Sequence, residues 1–447
     1  LFEKIWTSGV FPVKKFNRFI IKQNNSRERD SFLWSLNMTW DAIVIGCGAA
    51  GMMAAVTAAQ GDKKVLILER NEKPGKKLFI SGKGRCNLTN DSDIKTFQDH
   101  IPRNPKFLYS AFHAFTNKDL MEFFENRGVS LKVERGGRVF PASDKSSDLI
   151  LVLVREMKDR GVEIRFKERV REILVNQNRI GGVQTFQGET FPADKVILAT
   201  GGLSYPLTGS TGDGYDMARK LGHHVTDLEP SLVPIETKEK WVKDLQGLSL
   251  KNVSLALEYQ EKKVYEEQGE MLFTHFGVSG PLVLTLSSYI RDYLKQKKDA
   301  FLSLDLKPAL SPEVLDKRIQ RDFALYSKRQ LQNALFDLLP KRMIPVIISL
   351  SGMDGEKYVH QITKEERKNL VTILKNCRIT VKGLRPIDEA IITSGGISTK
   401  EINPSTMESK LVAGLYFAGE IIDVEGLTGG YNLQIAFSTG YLAGKNV

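Results

Sequence analysis

Gly46-Cys47-Gly48-Ala49-Ala50-Gly51 sets three glycines at the spacing G-x-G-x-x-G. The first glycine of this pattern permits a tight turn. The second lets backbone approach a pyrophosphate, and the third lets a helix pack closely on a strand. A helix starting there offers unpaired N–H groups and a positive dipole end to phosphate oxygens. Alone, the pattern is only a glycine turn. Its surroundings make it a dinucleotide site. The short apolar run Asp41-Ala42-Ile43-Val44-Ile45 before it reads as a buried parallel strand. Met52 to Gln60 is alanine-rich and favours helix. Lys64-Val65-Leu66-Ile67-Leu68 repeats the strand pattern and runs into Glu69, 18 residues beyond Gly51, with Arg70 next. This is the βαβ context the motif requires. A carboxylate at Glu69 suits a ribose diol and disfavours a 2′-phosphate.

Two further turns narrow the cofactor. Lys195 to Ala199 reads as a buried strand, and Thr200-Gly201-Gly202 follows it. Near the end, Gly414-Leu415-Tyr416-Phe417-Ala418-Gly419-Glu420 resembles the C-terminal flavin segment of two-dinucleotide-fold flavoproteins. In those proteins the acidic residue binds the ribityl chain. The next helix points its positive end at the flavin's pyrimidine edge, stabilising charge on the reduced ring. Gly429-Gly430-Tyr431-Asn432 suits such a close approach. Thr200, Gly201, Gly419, Glu420, Gly430 and Asn432 therefore join Gly46, Gly48, Ala49, Ala50, Gly51, Glu69 and Arg70 as expected cofactor contacts.

The loop Lys76-Lys77-Leu78-Phe79-Ile80-Ser81-Gly82-Lys83-Gly84-Arg85-Cys86-Asn87-Leu88-Thr89-Asn90 is similar to the signature of the BaiN/YhiN-like flavoproteins, the aminoacetone-oxidase-type FAD-binding family. Residues 201–214, Phe273-Thr274-His275-Phe276-Gly277-Val278-Ser279-Gly280-Pro281 and Thr393-Ser394-Gly395-Gly396-Ile397 carry the same likeness. It covers nearly everything after Met38. The resemblance implies FAD as cofactor, a β-barrel-like domain inserted in the FAD domain, and a small helical domain within the barrel. In physical terms Lys77, Ser81 and Arg85, spaced by Gly82 and Gly84, can bring donors and charge to phosphates or to the flavin edge. Cys86 and Asn87 sit in the same loop. A redox role for Cys86 competes with a packed thiol, which the lack of a nearby partner cysteine favours. Val170 lies in a hairpin that leans on adenine in related folds.

His275 is the acid/base candidate, because its ordinary pKa suits proton transfer near neutrality. A structural role is the alternative. Tyr205 is expected either to line the substrate space or to pack in a core. Hydride transfer itself belongs to the flavin. No second G-x-G-x-x-G domain follows, so NAD(P)H is expected as a transient co-substrate.

These residues need elements to hold them. The expected fold is α/β: a split Rossmann-like FAD-binding domain of the two-dinucleotide-fold type, with the barrel and helical insertions. From about Pro230 short alternating segments such as Val253 to Leu257 indicate antiparallel β structure. From Ser311 the texture turns helical, with serine as cap and Pro312 in the first turn. Expected boundaries are 38–230 and 391–447 for the FAD domain, 231–310 and 375–390 for the barrel, and 311–374 for the helical insert. Residues 1–37, basic with scattered aromatics, are expected to be a non-native leader. A targeting arm or an ordered accessory segment are the alternatives.

The 447 residues allow two to four domains, and an apolar fraction of 41% needs no staples. Three distant cysteines and no C-x-x-C argue against a disulfide framework or a dithiol reductase, and fit a reducing cytoplasm. No histidine cluster suggests a metal. No apolar run is long enough to span a bilayer. The net charge of +11 is spread along the chain, so a phosphate-rich cofactor is expected, not nucleic acid. The expected activity is an FAD-dependent oxidoreductase acting on a small organic substrate. A flavin-containing RNA-binding or RNA-modifying factor, an oxygen-using amine-type oxidase and a non-catalytic flavin-binding regulator are the alternatives.

Overall fold

The computed structural model describes residues 39–447 except 261, 297 and 298. The leader expected at 1–37 lies outside the described residues. Five short strands, apolar except for the edge strand β3, build a parallel sheet: β1 (Ala42–Ile45), β2 (Val65–Glu69), β3 (Glu163–Phe166), β4 (Val196–Leu198) and β5 (Leu415–Phe417). Their spatial order is β5-β4-β1-β2-β3. Ile43 pairs with Leu66 on one side and Val196 on the other, and Val196 pairs with Leu415. The strand just before the chain's last helix thus completes the sheet that the first strand begins. Helix α1 (Ala49–Ala58) connects β1 to β2, and every one of its residues except Ala49 is buried.

A closed barrel stands between the two halves of this sheet. Its strands run Ile235–Thr237, Gly277–Ser279, Lys262–Phe273, Ser249–Tyr259, Ala300–Asp305 and Cys377–Leu384 around the ring. The chain leaves and re-enters the sheet domain side by side, where Glu229–Ser231 pairs antiparallel with Ile392–Ser394. Between the last two barrel strands come helices Pro312–Leu325, Leu331–Ala334, Ile344–Ser351 and Lys364–Lys375. Ser311 Oγ accepts from Val314 N at the first of them, and Thr363 forms a capping box at the last. The buried side chains fall into two cores. One gathers residues 40–218 and 397–443; the other gathers residues 235–381, helices and barrel together.

Three local readings are corrected. The apolar periodicity over Pro105–Arg127 predicts one helix, but the stretch is broken, because Thr116 starts a new capped helix at Asn117. The loop after Asn71 contains a short helix, Lys76–Ile80. The β-rich region contains α2 (Pro281–Leu294). Leu282, Val283, Leu286 and Ile290 bury one face of α2 in the barrel core, at helical spacing. Its hydroxyls at Thr285, Ser287 and Ser288 are buried as well. They meet Thr428, the Val233 N–H and Ser231. A helix wet on neither face shows no simple apolar stripe. Among the described residues, no helix is long and apolar enough to cross a membrane.

Candidate active site

The strand order makes β1 and β4 neighbours with the rest of the sheet growing away on either side. In open α/β sheets, ligands bind outside the carboxyl ends of strands at such a switch point. A cleft lies there. Its walls include the glycine turn, Glu69, Thr200-Gly201, Lys77, Glu420 and Asn432, drawn from both halves of the chain.

The three glycines of the turn have different reasons. Gly46 has φ +102°, and a Cβ there would stand 2.6 Å from the Ala199 carbonyl oxygen at the end of β4. A Cβ on Gly51 would stand 1.9 Å from the Gly46 carbonyl oxygen. Gly48 is different: its backbone is extended, and a Cβ would meet no protein atom within 4 Å. Nothing in the protein demands glycine at 48. The space beside it is the cleft.

The helix ends agree. Helix α1 starts with no side-chain cap and no acid in its first turn. So does α3 (Tyr431–Lys445), whose Asn432, Leu433 and Ala436 line the same cleft. Helices that follow Asp93, Thr116, Ser311 and Thr363 are closed by a side-chain oxygen, while other starts, such as Pro281 and Ile344, are not; α1 and α3 matter because they open on the cleft. Two uncapped starts on one cleft leave N–H donors and positive ends for a diphosphate and an electron-rich ring. These features fit FAD.

At one end of the cleft, Glu69 is buried. Its Oε2 accepts from Cys47 N at 2.8 Å, and its Oε1 accepts from Asn71 N and Nδ2 at 2.8 and 2.7 Å. The carboxylate ties the glycine turn to the end of β2 and keeps lone pairs for a ribose. Arg70 pairs with Asp213 at 3.2 Å, and Arg169 grips the same carboxylate with two bonds of 2.7 and 2.9 Å. Burial pushes the Asp213 carboxyl up. The Arg169 and Thr211 bonds outweigh it and hold the group below the usual range. Val170 also lines this end.

At the other end, Glu420 Oε2 accepts from Lys77 Nζ at 2.6 Å. Its Oε1 accepts from Thr393 N at 2.8 Å and Ser204 Oγ at 3.0 Å. Lys77 Nζ also donates to Ser204 Oγ at 2.6 Å. The expected flavin-binding acid is therefore held in place by a lysine, a serine and a backbone N–H.

Ala49, Ala50, Gly201, Ser81 and Gly419 line the cleft as well, although the Ser81 hydroxyl donates to Leu78 O. Gly51, Gly82, Arg85, Cys86, Asn87 and Gly430 do not. Arg85 turns to Asp144 and Glu134 and lies over the Phe140 ring at 4.2 Å. Cys86 is fully buried, which pushes its thiol up to about 12. With its amide nitrogen facing Thr89 O and Val139 O, Asn87 accepts from Gly430 N at 3.0 Å. Asn87 and Gly430 thus set the start of α3 from behind. His275 lies away from the cleft walls, in a shallow depression with Glu236, Lys243, Lys382 and Arg385. Tyr205 is half-buried at φ +53°, outside the cleft lining.

No sequence pattern marks Ser204, Thr393, Arg169 and Asp213 as site residues. Three of them fall in stretches that carry the family likeness, but their roles depend on partners that only the fold supplies. The fold also makes the last helix indispensable. α3 buries Ile435, Phe437, Leu442 and Ala443, and Thr439 Oγ1 accepts from Gly419 N at 2.9 Å. Removing residues 431–447 is expected to abolish flavin retention although the glycine turn stays intact. Flavin absorbance per mole of purified protein checks this.

The family model described as the HI0933-like protein Rossmann domain matches residues 40–446. The chain is 33% identical over 405 residues to a 3-dehydro-bile acid delta(4,6)-reductase of Clostridium scindens, covering 90% of this chain and 97% of that protein. It is 31% identical over 411 residues to a ribosomal RNA dihydrouridine synthase of Escherichia coli, covering 91% and 98%. A protein of the same description from Haemophilus influenzae is 32% identical over 410 residues, covering 91% and 98%.

Proposed function

This chain belongs to the HI0933-like Rossmann-domain family of FAD-dependent oxidoreductases, and on that premise we propose that it reduces a carbon–carbon double bond conjugated to a carbonyl, with NAD(P)H as transient hydride donor. Bound FAD supplies the hydride transfer. The residues of this chain hold and orient it. Gly46–Ala50 and the start of α1 would take the pyrophosphate, and Glu69 the ribose. Glu420, fixed by Lys77, Ser204 and Thr393, would take the ribityl side, and the start of α3 would face the ring.

The observation that carries the reading is the cleft at the carboxyl ends of β1 and β4, on which the starts of α1 and α3 open. It has the form of one flavin site, and the sequence has one G-x-G-x-x-G. Donor and acceptor would therefore take turns at the same flavin. The bond class comes from the relatives. A 3-dehydro delta(4,6) compound and the uracil ring that becomes dihydrouridine both present a double bond next to a carbonyl.

A small enone fits the first relative. A second reading, favoured by the two ribosomal RNA relatives and by the net charge of +11, puts the same bond in a uracil of RNA. The test is anaerobic. NADH or NADPH is expected to bleach the flavin, and an enone or a uridine-containing ribosomal RNA is expected to restore its colour. Absence of bleaching with both nucleotides, or a bleached flavin whose colour neither acceptor restores, would defeat the reading.

A further inference from the structure

The helices between Pro312 and Lys375 send no side chain into the cleft wall. They nevertheless expose large rings beside cations. The Arg329 guanidinium lies over the rings of Tyr326 and Phe336, 4.7 and 5.4 Å from their centroids. Phe336 is 47% exposed and Tyr358 44%. Gln330 bridges to Tyr358 along the backbone, and Val359 N donates to Arg329 O at 3.1 Å. This sets Tyr358, with His360 at 5.8 Å between ring centres, beside the Arg329 cluster. Among the described residues, neither Lys328 nor Arg329 has a carboxylate within ion-pair distance. Asp337 accepts from the Tyr326 hydroxyl at the edge of this cluster, but Lys328 and Arg329 make no ion pair among the described residues, and exposed rings next to two such cations have the chemistry of a surface on which bases stack and phosphates bind.

We propose that this patch is a docking surface for single-stranded RNA, using Phe336, Tyr358 and the Arg329 plane as stacking platforms and Lys328 for the backbone. The proposal rests on the RNA reading of the substrate given above. Charge complementarity favours RNA over a second copy of this chain, which carries the same excess of positive charge.

The test uses the FAD-loaded full chain and a short fluorescein-labelled uridine-rich RNA, followed by anisotropy. Phe336→Ala, Tyr358→Ala and Arg329→Gln are each expected to weaken binding about 5- to 150-fold, the range for loss of one base–aromatic stack. Arg329→Gln should also flatten the salt dependence. Phe336→Tyr should keep wild-type affinity, which separates stacking from misfolding. NAD(P)H bleaching should be unchanged in all four, because none touches the cleft. Wild-type RNA affinity in the alanine variants overturns the proposal. So does absence of RNA binding by the parent protein, or a dimer on sizing columns that the variants dissolve with no effect on RNA. The two readings fail separately. RNA that binds through the patch but never reoxidises the flavin leaves the surface standing and removes uracil as substrate. RNA that reoxidises the flavin equally in every variant does the reverse.

Discussion

Gly48→Val is expected to give a protein that melts like the wild-type apoprotein and carries no flavin. Residue 48 sits in extended backbone, φ −88° and ψ −170°, which valine adopts readily. A Cβ there touches no protein atom within 4 Å. The added methyls would project into the cleft where the pyrophosphate must approach the backbone. Gly51→Val is the contrast. Its Cβ would fall 1.9 Å from the Gly46 carbonyl oxygen and 3.3 Å from Val44 Cγ1. Backbone cannot give way as a flexible side chain does, so α1 must part from β1. The cost should reach or exceed the about 1–3 kcal/mol usual for overpacking. Thermal melting of the apoproteins, with titration of added FAD, separates the two. Yellow Gly48→Val protein would contradict the placement of the cofactor.

The second large effect lies far from the glycine turn. Arg291 on α2 and Glu425 are 8% and 0% exposed, and Nη2 stands 3.0 Å from Oε2. Ser231 Oγ donates to Glu425 Oε1 at 2.5 Å and lies 2.9 Å from Ser288 Oγ. The pair joins a barrel-packed helix to the segment that carries Val424 into the cleft wall. Arg291→Leu would strand a buried carboxylate with one hydroxyl donor. Breaking a buried pair from one side costs about 3–5 kcal/mol, whereas replacing both charges is often neutral or better. Arg291→Leu should therefore lower the urea midpoint strongly, and Arg291→Leu/Glu425→Leu should restore most of it. Equal stability of the single variant and the wild type would show that the pair is solvated in solution. Flavin retention should follow the same order.

These two cases mark what could be read before any fold was known. The Gly46–Gly51 turn and the strand–helix–strand around it are written in neighbouring residues, because dihedral freedom and apolar runs act over short distances. The same holds for the serine cap at Ser311 and for the helix that starts at Tyr431. The Arg291–Glu425 pair has no such local mark. α2 was missed because burial on both faces hides its period.

Lys77 and Arg85 show the limit within a single loop. Both are cations among glycines, eight positions apart. Composition makes them equal candidates for the cofactor. The fold brings Lys77 to Glu420, 343 positions away, and turns Arg85 to Asp144 and Phe140. It also leaves His275 in a depression apart from the cleft, and brings Tyr358 beside the sequence neighbours Tyr326, Arg329 and Phe336. The sequence by itself determined the dinucleotide turn and the elements around it, since those depend on the backbone of adjacent residues. Which charged and aromatic side chains face the cofactor was decided only by tertiary structure, since their partners come from other elements, 44 residues away for Arg169 and Asp213 and 343 for Lys77 and Glu420.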